Sequence, residues 1–94
     1  MAERPLRVHV LALHECAPIV PVGVIDLLRK SIELAATLPA SRPRRRIQLS
    51  LIAAGAKRDV LCASNLVVRA DRTLAASGPA DLVIVPALDP DIVA

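Results

Sequence analysis

The sequence predicts an α/β protein: a flavodoxin-like parallel sheet with a small β-hairpin, present only as the front half of such a domain. Three observations carry that expectation. Short aliphatic runs recur at residues 7–13 (RVHVLAL), 47–53 (IQLSLIA) and 82–85 (LVIV), each with the length and composition of a strand buried on both faces. One stretch of helical period lies between the first two runs. The chain then stops three residues after Asp89-Pro90-Asp91, which reads as the start of another helix, with an Asp cap, Pro at the first position and an acidic first turn.

The first run is interrupted only by His9 and leads into a loop, His14 to Pro21. Residues 22–38 follow as a helix, with Pro21 in the first turn, where no backbone N–H is needed. Ile25, Leu28, Ile32 and Ala35 recur at helical spacing and mark its buried stripe. Asp26–Lys30 and Arg29–Glu33 are i,i+4 pairs on the opposite side, worth about 0.2–0.5 kcal/mol each. Pro39 stops the helix. Residues 39–46 form a basic Pro/Arg connector inside a single domain spanning residues 1–94. With the strand at 47–53 this completes a βαβ unit, whose crossover is almost always right-handed.

Beyond the turn at Gly55, residues 60–62 and 66–70 read as a hairpin around Ala63-Ser64-Asn65, Asn65 being able to take a positive φ. Residues 71–74 read as a loop, Asp81 as a turn residue opening the last strand, and Asp89 as a helix cap. One long helix can cover only one face of three doubly buried strands. The other face is therefore expected to expose a contiguous aliphatic patch, which soluble monomers seldom tolerate. The expected remedies are a further stretch of the same domain or self-association into a homo-oligomer.

Composition narrows the function classes. Hydrophobic residues make up 54% of the 94 residues and aromatic residues none, so the core is aliphatic and base-stacking platforms are excluded. The net charge of +3 is local: without Arg42, Arg44, Arg45 and Arg46 the acidic residues would outnumber the basic ones. That cluster reads as a solvated connector rather than a nucleic-acid surface, which spreads its basic residues over a face or along a helix. Cys16 and Cys62 match no metal or redox spacing. Without an export signal or an apolar run of about 20 residues, the expectation is a soluble cytoplasmic protein with reduced thiols, no membrane contact and no cofactor.

His14, Glu15 and Cys16 are the candidate ligand-binding residues, because they follow the carboxyl end of the first strand, where open α/β sheets bind ligands. Adjacent residues cannot all aim at one point, so an ordinary polar loop is the competing reading. No metal site and no catalytic nucleophile is assigned. Cys62 reads as a small hydrophobe and His9 as a core or edge histidine.

Several segments resemble the N-terminal part of the ThiJ/PfpI superfamily, which has a class I glutamine amidotransferase-like fold. The helix entry at residues 19–28 (IVPVGVIDLL) is similar to that family's Pro-containing entry into its first helix. Residues 62–74 (CASNLVVRADRTL) resemble its hairpin followed by "pd-tl", and residues 80–88 (ADLVIVPAL) its "D-vivPG" strand. The subfamily most resembled is the amidotransferase-like N-terminal domain of AraC-type transcriptional regulators. The resemblance implies a sensory or dimerisation domain, an unidentified small-molecule effector, and DNA binding only through a helix-turn-helix domain outside this chain. It also implies that the catalytic cysteine of enzymatic members would lie beyond Ala94, and that Ala87-Leu88 replace a Gly pair after Pro86. Glu15 does not match the spacing of the catalytic members' loop Glu. The expectation is therefore a non-enzyme. A hydrolase or amidase of the same superfamily and a free-standing interaction module are the alternatives.

Overall fold

A computed structural model describes residues 4–39 and 45–86. The connector's residues 40–44 and the Asp89 helix start lie outside them. The element order is β1 (Leu6–Ala12), α1 (Ile19–Thr37), β2 (Ile47–Ala53), β3 (Asp59–Leu61), β4 (Val67–Arg69), β5 (Arg72–Thr73) and β6 (Leu82–Ile84), with single 3₁₀ turns at Ala63–Asn65 and Leu74–Ala76. The four-stranded sheet runs β5-β2-β1-β6, and every pairing in it is parallel. β3 and β4 form a separate antiparallel hairpin. This is the expected α/β arrangement, a parallel sheet with a small hairpin beside it.

α1 begins three residues before its expected start. Pro18 has helical dihedrals (φ −64°, ψ −26°), and the N–H of Val22 already donates to the Pro18 carbonyl at 3.3 Å. Pro21 is then the third helical residue, still within the turn whose N–H groups have no helical acceptor. The helix ends at Leu38, whose extended ψ of 144° is what a following proline imposes.

β1 and β2 pair along their full lengths, from Leu6 opposite Ile47 to Ala12 opposite Ala53. Strand alternation puts Leu6, Val8, Val10 and Ala12 on one face with Ile47, Leu49, Leu51 and Ala53. α1 packs on that face. The core gathers at the carboxyl end of these strands: Val10, Ala12, Leu51 and Ala53 pack with Cys16, Val60, Cys62 and Ala70, flanked by Val24 and Ile25 of α1 and Val68 of β4.

Three expectations need correction. Ala35, assigned to the buried stripe, is exposed, because the second half of α1 stands off the sheet and leaves an apolar cavity of about 330 Å³ between Leu28, Ile32, Ala35 and Leu6, Val8, Ile84. Residues 71–74, read as a loop, contain β5, which pairs Arg72 and Thr73 with Ile52 and Ala53. The face opposite α1 is not a contiguous aliphatic patch. Alternation and register place Arg7, His9, Gln48 and Ser50 there beside Leu11, Ile52 and Val83, and only the edge residue Val83 is a markedly exposed aliphatic in that set.

Candidate functional site

The carboxyl end of β1 positions the three candidate residues, and it sends them in different directions. Glu15 has φ 66°, so the chain reverses sharply there. Its N–H donates to the Leu61 carbonyl at 2.9 Å, and the Ala63 N–H donates to the Cys16 carbonyl at the same distance. The loop is thereby stitched to the hairpin. His14 points outward, its Nε2 lying 3.5 Å from a Glu15 carboxylate oxygen, with both side chains well exposed. Cys16 turns inward and is fully buried.

What the loop brings together is a thiol pair. Cys16 Sγ and Cys62 Sγ lie 3.8 Å apart, within hydrogen-bonding reach for sulfur, and the Cys62 thiol also reaches the Val60 carbonyl at 3.7 Å. Both are free cysteines. Burial first, then the hydrogen bond and charge of the neighbouring Cys16, push the Cys62 thiol up to about 11. At neutral pH it stays protonated and is a poor nucleophile, because the thiolate is the reactive form. Residues 46 positions apart meet only through the fold, so spacing rules could not reveal this pair. The shared burial of two small apolar side chains was the available signal.

Two aspartates play a part that the sequence reading missed. Each stands directly before a short parallel strand and clamps a residue of the neighbouring strand by its backbone and its carboxylate together. The Asp71 N–H donates to the Leu51 carbonyl, and the Leu51 N–H donates to Asp71 Oδ2, both at 2.8 Å. The Asp81 N–H donates to the Arg7 carbonyl at 2.9 Å, and the Arg7 N–H donates to Asp81 Oδ2 at 2.8 Å. Asp81 also holds both arms of the Arg4 guanidinium, at 2.7 and 2.9 Å. It is therefore a strand clamp rather than a plain turn residue. Hydrogen bonding from Arg4, and then from the Arg7 backbone, holds its carboxyl well below the usual carboxylate range.

Among the described residues no group of three or more His, Cys, Asp or Glu side chains could hold a metal ion, and no helix is long and apolar enough to cross a membrane.

The order β5-β2-β1-β6 with a hairpin after β2 can be compared with solved proteins. It is similar in fold to DJ-1. The oxidized DJ-1 of Toxoplasma gondii superposes with a TM-score of 0.67 at 20% sequence identity, over 90% of this chain and 40% of that one. At that identity the likeness establishes the fold alone. The chain spans about 40% of the length of that solved protein. No family model and no curated relative matches the chain.

Proposed function

We propose that this chain is a non-catalytic ThiJ/PfpI-like domain portion that serves ligand sensing or dimerisation in an AraC-type transcriptional regulator. The DJ-1-like fold supports the superfamily part of this reading. The resemblance of residues 19–28, 62–74 and 80–88 supports the regulator part. What supports the non-catalytic part, for the described residues, is the state of the loop after β1, which offers no nucleophile of its own. Its cysteine is sealed in the core beside a second thiol, while its His and Glu pair with each other outside. A nucleophile needs a base within hydrogen-bond reach and an accessible reacting atom, and this arrangement separates the two.

On this reading DNA binding belongs to a helix-turn-helix domain outside the chain, and the domain's own work is to bind an effector or a second subunit. Sequencing the gene past the Ala94 codon, and assaying the encoded protein for promoter binding, tests it. Paired helix-turn-helix units with effector-dependent DNA binding are expected. A cysteine on a strand-to-helix turn, accompanied by hydrolase turnover, would overturn it.

A further inference from the structure

The sheet face opposite α1 carries a polar cleft of about 420 Å³, lined chiefly by Arg7 and His9 of β1, Gln48 and Ser50 of β2, Arg72 of β5 and Ser77. We propose that this cleft binds a small organic oxyanion, a carboxylate or a phosphate monoester.

The charge of the lining is one-sided. Two arginines line it and no acidic residue does. Neither the Arg7 nor the Arg72 guanidinium has an ion-pair or hydrogen-bond partner among the described residues, whereas Arg4, Arg58 and Arg69 each have one. Asp81, which follows the cleft wall in sequence, is already committed to Arg4 and to the Arg7 backbone. Two arginines with unpaired guanidinium groups at the wall of one hollow favour an anion, and their planar forks suit carboxylate or phosphate geometry.

His9 supplies the second observation. It is only 6% exposed, yet its ring has no hydrogen-bond partner among the described residues. Within those residues no buried side-chain nitrogen or oxygen is both sealed from solvent and unpartnered, so the unpartnered ring of His9 keeps solvent access, and the residue lines the cleft. A ligand oxygen in the cleft would take the place of solvent on this ring, inside a residue that is otherwise buried.

The turn after Ser77 adjoins the cleft. Gly78 has φ +71°, and a Cβ there would stand 3.9 Å from an Arg7 Nη1, so the turn after Ser77 lies beside the guanidinium. Ser77 is itself buried and anchored through its hydroxyl to the Leu74 carbonyl at 2.8 Å. The volume falls at the lower end of the range of small-molecule sites, larger than an inorganic ion alone needs. The site lies away from His14, Glu15 and Cys16, and it does not depend on the regulator reading.

The test is a titration of the full chain, followed by amide and His9 ring NMR shifts, with inorganic phosphate, malonate and chloride at constant ionic strength. Saturable shifts centred on His9, Ser50 and Ser77 with phosphate or malonate, and none with chloride, are expected; which of the two binds tighter separates a phosphate site from a carboxylate site. The single variants Arg7→Gln and Arg72→Gln change exposed side chains, so thermal melts should show them folded, and each should weaken binding on the order of tenfold or more. Shifts that track chloride equally, that map elsewhere, or that survive in both variants overturn the proposal, as does the absence of any saturable shift.

Discussion

At the scale of single residues, the aspartates before β5 and β6 do what the short strands cannot. β5 is two residues long and offers few ladder bonds of its own, so its attachment leans on Asp71, whose carboxylate accepts the N–H of buried Leu51. Asp71→Ala leaves that donor without a partner, a cost of about 1–3 kcal/mol. Asp71→Asn keeps an acceptor oxygen and should lose less. Urea melts of the three proteins check this, and equal stability of Asp71→Ala and the parent would count against the clamp. Asp81 adds a pH dependence whose sign follows from its lowered folded-state pKa. Its contribution is fully present above the unfolded carboxylate value of about 3.9 and is lost as pH falls through the lower folded value. The stability gap between the parent and Asp81→Asn should therefore narrow steadily from about pH 5 toward pH 2; a gap that is flat over that window would show that the Arg4 pairing contributes nothing to it.

At the scale of elements, β1, β2 and β6 were legible because aliphatic runs of that length have few other uses in a chain of this kind. The hairpin was legible too: Asn65 takes φ 58°, and Ser64 beside it takes 62°. β5 was not, since two residues carry no period. Its one signal was the Asp-before-strand pattern shared with Asp81, and that pattern has meaning only once the neighbouring strand is known. The polar alternation of Gln48 and Ser50 was in plain view, but strong aliphatic content masked it. α1 shows the limit of periodicity from another side. The pattern places Ala35 on the right stripe, yet periodicity cannot say how closely a helix lies on its sheet. The helix stands off where Ile32 and Ala35 face Leu6 and Val8. A larger side chain at that point should fill the gap: Ala35→Leu is expected to raise stability by about 0.5–2 kcal/mol, in the manner of other cavity-filling changes. A higher urea midpoint with an unchanged slope is the expected reading, and a lower midpoint would mean that the gap closes on something else.

At the scale of the whole molecule, the two sheet faces and the two sheet edges differ in kind. The α1 face has an aliphatic core at its carboxyl end. The opposite face carries arginines and polar groups that make a cleft, so the concern over uncovered aliphatic surface moves from a face to an edge. Among the described residues β6 is an outer strand of the sheet, and Leu82 and Val83 on it and Val85 just after it are each about half exposed or more. The candidate loop was legible only as a location. Its His, Glu and Cys were in sequence, but the direction of each side chain depends on the left-handed turn at Glu15 and on a hairpin that closes over Cys16. An apolar outer strand with unpaired backbone groups is a template for pairing with a second chain, and a charged residue on it is the usual protection. The chain should therefore self-associate with concentration in sedimentation velocity, and Val83→Lys should shift it toward monomer. The same substitution points a positive charge onto the face that carries Arg7 and Arg72, so it should not weaken anion binding in the cleft. If association persists unchanged in Val83→Lys, the contact lies elsewhere, and the next surface to alter is the exposed half of α1, where Leu27 and Leu34 are both more than 60% accessible.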